Sequence, residues 1–214
     1  PRRYVIASPS LSGSETRRAL KMIDHHDQEE VDAVNAIKDV AQELPLLGDV
    51  RWVRKVQYES HPAVLTCMHS YDWPTLATIA PRLSREDARG IVGQALCALA
   101  HLNARGVYHN DAAARNVLVS APIRDPLEVR TALGSFCVPK GRRTIVVIDY
   151  NRATVGASWE GESGETHAHC ASSFVAHLLR TESRRGRFLT TAVPELRDLH
   201  MPITFDKLGE VLQA

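Results

Sequence analysis

The sequence lacks an apolar run of eighteen residues and a signal-like start, so we expect neither a membrane-spanning helix nor a secretory leader. Its 26 basic and 25 acidic side chains give a formal net charge of +1, and such a balance does not favour nucleic acid or a membrane surface as a partner. The four cysteines are far apart and form no C-x-x-C pair, which indicates free thiols. We therefore expect an intracellular protein of the cytoplasm or nucleus.

The chain has 214 residues, of which 44% are hydrophobic. This length and composition suit one two-lobed domain, or two small ones, with a sizeable core. The sequence begins with Pro1, which is not a natural initiator. We therefore expect that the natural protein continues upstream.

Two short polar segments follow apolar elements in the middle of the chain. In residues 107–119, VYHNDAAARNVLV, Asp111 follows His109 by two positions and Asn116 follows Asp111 by five. In residues 144–150, TIVVIDY, Asp149 ends a β-branched run. Carboxylate and amide oxygens are suited to holding Mg²⁺ against a polyphosphate while a hydroxyl attacks. The alternative interpretation is an ordinary helix, turn and hairpin with polar turn residues.

The pattern H-x-D-x-x-x-x-N, followed by a strand that ends in Asp, resembles the catalytic loop and metal-binding motif of protein kinases. The loop HNDAAARN is similar to the H-R-D-L-A-A-R-N loop of tyrosine kinases and to loops of some fungal kinase-like families. The resemblance implies that Asp111 orients the attacking hydroxyl and accepts its proton, and that Asn116 and Asp149 bind Mg²⁺ beside ATP. For His109 we expect packing and bonds to the backbone, with a chemical role as the alternative.

The start of the chain predicts a hairpin, with apolar runs at residues 3–7 and 18–23 on either side of a polar loop. Lys21, in the second run, resembles the kinase lysine that reaches the α and β phosphates of ATP. A solvent-facing strand lysine is the alternative. Under the resemblance, Lys21 belongs to the catalytic and nucleotide-binding groups.

Residues 27–44 carry apolar side chains at a spacing of three and four, which predicts an amphipathic helix. In kinases this helix supplies an acidic partner for the strand lysine. Asp39 is the candidate for that partner, ahead of Glu43 and Glu30. A solvated acidic helix face is the alternative interpretation.

Residues 50–58 and 63–68 predict two further strands. The polar residues 69–72 that follow resemble the connection between kinase lobes, where the main chain binds adenine. Met68 lies directly before this connection and is a further candidate nucleotide contact.

A long core helix is predicted from Ser84 to Gly106, because Ser84 and Asp87 form a capping pattern and an apolar stripe follows. This helix delivers the candidate catalytic loop. Residues 120–143 predict an elaborated surface hairpin, residues 171–179 a core helix, and residues 204–212 a closing helix.

The chain also departs from the kinase pattern. No glycine-rich phosphate loop precedes Lys21, Asn110 replaces the loop arginine, Tyr150 and Asn151 replace Phe-Gly, and no A-P-E segment follows. These departures keep two alternatives open: a pseudokinase that serves as a nucleotide-binding or scaffolding module, and, because the large lobe is short, a small-molecule kinase.

Together these features predict an α+β, protein kinase-like bilobal fold over residues 1–214. We expect a small β-rich lobe at 1–70, without the first strand and glycine-rich loop, and a reduced helical large lobe at 71–214. The resemblance implies an ATP- and Mg²⁺-dependent phosphotransferase acting on a protein hydroxyl, with ATP and a protein substrate as partners.

Overall fold

The structure is a computed structural model that describes residues 3–6, 18–24, 28–58, 61–150, 152–156, 169–180, 194–197 and 204. The described residues form a mixed α+β fold of small antiparallel sheets and four α-helices. The strands are β1 (Arg3–Ile6), β2 (Arg18–Asp24), β3 (Val50–Tyr58), β4 (His61–His69), β5 (Val107–Tyr108), β6 (Val117–Pro122), β7 (Leu127–Thr131), β8 (Gly134–Val138), β9 (Arg143–Val147) and β10 (Thr154–Val155). The helices are α1 (Gln28–Glu43), α2 (Leu76–Ile79), α3 (Arg85–Ala104) and α4 (His169–Arg180).

The N-terminal strands form a four-stranded sheet in the order β1–β2–β4–β3. β1 and β2 are antiparallel neighbours, so the predicted hairpin pairing is confirmed. Helix α1 connects β2 to β3 and buries Val34 and Ile37 among its apolar residues, as the spacing of three and four predicted. Side chains alternate between the two faces of the sheet. The face that carries Lys21 and Ile23 is here called the inner face, because Ile23 is part of the hydrophobic core.

Helix α3 lies at the centre of the core, with thirteen of its twenty residues buried. It begins with the predicted capping interaction: the amide of Asp87 donates to Ser84 Oγ at 3.0 Å, and Ser84 Oγ donates to Asp87 Oδ2 at 2.9 Å. This bonding satisfies an N-terminal amide that has no partner inside the helix. A helix buried on most sides is a rigid support for the loop that follows it.

The helix is followed by Gly106, which has a φ of 69°. A Cβ at this position would lie 2.6 Å from the backbone oxygen of Gly156, and Gly106 O also accepts from Gly156 N at 3.0 Å. We expect Gly106→Ala to lower the free energy of unfolding by about 2 kcal/mol or more, because the left-handed backbone is strained and the contact must open. Equilibrium urea unfolding measures this change.

Gly90 provides the matched control, because it lies within α3 and a Cβ there would meet nothing within 4 Å. Gly90→Ala should raise the free energy of unfolding by about 0.5–1 kcal/mol, the usual gain for an exposed helical glycine. Equal stability of Gly106→Ala and the wild type would contradict the close approach of residues 106 and 156.

The second half of the chain contains three short antiparallel pairs, β5–β10, β6–β9 and β7–β8. The β7–β8 pair provides the hairpin predicted within residues 120–143. Helix α4 covers the core helix predicted at 171–179 and buries Phe174 and Leu178. The closing helix predicted at 204–212 lies, except for Thr204, outside the described residues. In the part of the chain that the structure describes, no helix is long and apolar enough to cross a membrane.

The segment between α1 and β3 is bonded to β9 by its main chain. Gly48 N donates to Val147 O at 2.8 Å, and Val147 N donates to Leu46 O at 2.9 Å. A Cβ on Gly48 would lie 3.2 Å from Val147 O, so a small residue suits this contact. These bonds fix the end of β9, where Asp149 follows, against the N-terminal half of the chain.

Candidate functional site

The pairing of β6 with β9 brings the two candidate metal ligands to one end of a hairpin. Val117 is the register partner of Val147, and Ile148 N donates to Asn116 O at 2.9 Å. Asn116 precedes β6 and Asp149 follows β9, so antiparallel pairing places both residues at the same end. Asn116 and Asp149 are 33 positions apart in the sequence, and the pairing of β6 with β9 brings these positions to the same end of the strand pair.

Asp111 and Asn116 are joined directly within the loop. The amide nitrogen Nδ2 of Asn116 donates to Asp111 O at 2.8 Å and to Asp111 Oδ2 at 2.9 Å. Arg115 Nη2 lies 2.5 Å from Asp111 Oδ1. Both carboxylate oxygens of Asp111 therefore have a defined orientation. Because the Asn116 Nδ2 atom is committed to Asp111, its Oδ1 atom is the side-chain acceptor suited to a cation.

His109 holds the start of the loop against the strand that carries Asp149. It is fully buried, its Nε2 donates to Ile148 O at 3.0 Å, and its Nδ1 accepts from Asp111 N at 3.3 Å. Burial lowers the pKa of His109, while the bond to Ile148 and the nearby Asp111 and Asp149 charges act in the opposite direction. These bonds fit a neutral ring protonated at Nε2. The predicted backbone-bonding role of His109 is confirmed.

Two residues that the sequence interpretation missed support this histidine. His109 N donates to Cys170 Sγ at 3.0 Å, and Cys170 N donates to Asn103 Oδ1 at 2.7 Å. Burial raises the pKa of Cys170 to about 11, so the thiol stays protonated near neutral pH. The available sequence signal was Asn103, a polar residue in the apolar pattern at the end of α3.

Two residues of the site, Asn110 and Asp149, have left-handed backbones, with φ values of 53° and 68°. Asn and Asp tolerate this region better than other residues with a side chain. Asn110 Nδ2 donates to Arg152 O and to Thr154 Oγ1, both at 3.0 Å. Asn110 therefore joins the loop to residues 152 and 154 through neutral hydrogen bonds.

Tyr150, the residue after Asp149, is anchored in the core. Its ring is buried and lies 5.3 Å from the His109 ring, centroid to centroid. Its hydroxyl donates to Val147 O at 2.7 Å and accepts from Gly48 N at 3.1 Å. Burial raises the pKa of Tyr150, so the hydroxyl remains a donor. This aromatic residue is therefore part of the hydrophobic core.

The three other predicted residues lie in the N-terminal half. Lys21 is buried on the inner face of the sheet, where its register partner on β4 is Thr66. Met68, near the end of β4, is partly buried against the core. The side chain of Asp39 is 77% exposed and lies 3.9 Å from Lys38 Nζ. The pairing of Asp39 with Lys21 stays a prediction.

The two candidate metal ligands carry oxygen donors. The described residues contain no group of three or more His, Cys, Asp or Glu side chains that could hold a metal ion. Asn116 and Asp149 supply one amide and one carboxylate, both oxygen donors. Mg²⁺ is commonly held by one or two protein oxygens, with water and substrate phosphates completing its shell.

A cavity of about 610 Å³ lies away from these residues, between α3 and the β7–β8 hairpin. None of the predicted site residues lines it. His109 bonds to Asp111 and to Ile148, the residue before Asp149, and Asp111 bonds to Asn116. This group of residues lies apart from that cavity.

Comparison with known proteins gives no family assignment for this chain, since no family model matches it and no curated protein matches it significantly. Any function must be argued from the site itself.

Proposed function

We propose that this chain is a protein kinase-like phosphotransferase that uses ATP and Mg²⁺ to phosphorylate a hydroxyl group on a protein. The observation that carries the proposal is the linked geometry of Asp111, Asn116 and Asp149. Asp111 and Asn116 share hydrogen bonds, and Asn116 is bonded through its main chain to the residue before Asp149. A base and two metal-binding oxygens on one rigid support suit phosphoryl transfer.

The order of the elements supports a bilobal arrangement. The pair β1–β2, with Lys21 on its inner face, precedes helix α1, and β3 and β4 then complete the same sheet. Residues 70–75 connect this sheet to the half of the chain that contains α2, α3 and α4. In this proposal the sheet and α1 form the small lobe, and Lys21 binds the α and β phosphates. Residues 71–214 form the large lobe.

Each residue of the loop has a proposed task. Asp111 accepts the proton of the acceptor hydroxyl, and Arg115 and Asn116 hold its carboxylate in position. Asn116 Oδ1 and the Asp149 carboxylate would hold Mg²⁺, which when bound neutralises charge on the transferring phosphoryl group. His109 positions both segments through its bonds to Ile148 and Asp111.

A thermal-shift titration tests the nucleotide site. With Mg²⁺ and ATP at about 100 times the dissociation constant, we expect a stabilisation of about 2.7 kcal/mol, or roughly 5–10 °C in Tm. Asp149→Asn should lose the Mg²⁺-dependent part of the shift, because an amide is a weaker cation ligand than a carboxylate. Asn also suits the left-handed backbone at this position.

Asp125→Asn is the matched control, because it removes the same charge from an exposed turn. Its shift should equal that of the wild type. A shift that is identical with and without Mg²⁺ would contradict the metal site, and the absence of any shift with ATP would refute nucleotide binding altogether.

A pseudokinase is the second candidate, and the ion pair between Arg115 and Asp111 favours it. This contact occupies Oδ1 of Asp111, while Oδ2 accepts from Asn116, so neither oxygen is presented alone to a substrate. Nucleotide-dependent stabilisation without phosphate transfer to a mixture of Ser-, Thr- and Tyr-containing peptides would favour this candidate over the enzyme.

A further inference from the structure

A polar cavity of about 360 Å³ lies on the N-terminal sheet, lined by Arg18, Arg51, Trp52 and His69. Arg18 and Lys21 are an odd number of positions apart on β2, so their side chains lie on opposite faces. The cavity therefore opens on the face opposite to Lys21, here called the outer face. Neither Lys21, Asp39 and Met68 nor Asp111, Asn116 and Asp149 line it, although His69 begins the connection compared above with the adenine-binding connection of kinases.

A β-bulge places two of the lining residues together. On β3, Val50 is the partner of Met68, whereas Trp52 is the partner of Cys67, so Arg51 is one extra residue in the strand. Without the bulge, Trp52 would oppose Thr66 and lie on the inner face. A bulge of this kind redirects side chains and occurs frequently beside functional sites.

The other two lining residues come from neighbouring strands. Arg18 of β2 and His69 of β4 are direct register partners, and His69 N donates to Asp49 O at 3.0 Å. Both Arg18 and Arg51 act on the nearby Cys67 thiol by lowering its pKa, although burial is the larger effect and raises it. The guanidinium groups of Arg18 and Arg51, on different strands, thus both lie near Cys67.

The remaining groups around the cavity orient these side chains. Asp49 Oδ2 lies 2.7 Å from Arg51 Nε and pairs with this side of the guanidinium group. The Arg54 guanidinium lies 5.0 Å from the centre of the Trp52 ring, a cation–π distance. Among the described residues at the cavity, two guanidinium groups face the Asp49 carboxylate, which gives a net positive charge.

We infer that Arg18, Arg51, His69 and Trp52 form a binding pocket for a phosphate monoester whose organic part carries an aromatic ring. Guanidinium groups bind phosphate oxygens through paired, charge-assisted hydrogen bonds, and the imidazole of His69 adds another donor. The indole of Trp52 provides an apolar wall on which a ring can stack. The volume lies at the lower end of the range for small-molecule pockets, which suits a small aromatic phosphate.

This chemistry has two sources, a phosphotyrosine side chain of a protein and a small aromatic phosphate such as a nucleoside monophosphate. Isothermal titration calorimetry with phenyl phosphate, without ATP or Mg²⁺, tests the shared chemistry. We expect saturable one-to-one binding that is tighter than that of inorganic phosphate or phenol. A phosphotyrosine peptide and adenosine monophosphate are then compared, and the tighter of the two identifies the source.

Variants assign the binding to these residues. Arg18→Gln and Arg51→Gln should each weaken phenyl phosphate binding by about tenfold or more, because a charge-assisted bond is lost. Lys55→Gln, which removes the same charge from the inner face of β3, should change the affinity by less than about twofold. Trp52→Leu should weaken binding of phenyl phosphate but not of inorganic phosphate.

Two results would overturn the inference. Equal weakening by Lys55→Gln and the two arginine variants would show that only the general charge of the chain attracts the probe. Loss of binding in Asp149→Asn would place the probe at the proposed nucleotide site. If Asp149→Asn still binds phenyl phosphate, the pocket is supported whether or not the proposed enzyme activity is found.

Discussion

Replacement of Asp111 with Asn is expected to lower the rate of phosphoryl transfer by about 10²- to 10⁴-fold, the usual contribution of a general base. The substitution keeps the shape of the side chain and removes its proton-accepting charge. Mg²⁺-dependent binding of ATP should persist, because Asn116 and Asp149 are the proposed metal ligands. The measurement is initial-rate transfer of labelled phosphate from ATP to a mixture of hydroxyl-containing peptides.

The comparison with Asp149→Asn separates the two roles. Asp149→Asn should lose both nucleotide affinity and transfer, whereas Asp111→Asn should lose transfer alone. A variant Asp125→Asn with unchanged rate controls for the loss of one negative charge from an exposed position. Undiminished transfer by Asp111→Asn would remove Asp111 from the mechanism.

Phe174→Ala should lower the free energy of unfolding by about 3–5 kcal/mol, as is usual for a large side chain removed from a core. Phe174 is fully buried in α4, which packs against α3. The cavity left behind would lie one helical turn from Cys170, which binds the amide of His109. Guanidinium unfolding followed by circular dichroism measures the effect.

Val155→Ala is the appropriate comparison, because Val155 is a hydrophobic residue with half of its surface exposed. Its substitution should change the free energy of unfolding by less than about 0.5 kcal/mol. If Phe174→Ala lowered the free energy of unfolding by less than about 1 kcal/mol, the packing of Phe174 of α4 in the core would be contradicted.

Much of the secondary structure follows from local sequence patterns. The predicted strand 50–58 agrees with β3 at both ends, and the predicted helix 27–44 differs from α1 by one residue at each end. These elements have clear periodicity and defined flanking residues. The extra residue in β3 was not predicted, because a bulge changes the pairing with β4 and leaves little trace in the strand's own sequence.

The site shows the same division between local and long-range information. The spacing of Asp111 and Asn116 predicted that they act together, and their hydrogen bonds are local to the loop. The contact between His109 and Cys170 joins residues 61 positions apart and depends on how α4 packs. The bond between Gly48 and Tyr150 spans 102 positions. Neither of these two long-range contacts can be predicted from the sequence pattern of a single helix or strand.

The positive φ of Asp149 limits which residues can replace it without backbone strain. Most side chains are penalised in that backbone conformation, while Asn and Gly are accepted more easily. Most substitutions of Asp149 would therefore strain the backbone, whatever they do to the chemistry of the side chain. If the proposed activity were lost, Asp149→Asn would be one change that keeps this backbone conformation while it removes a carboxylate.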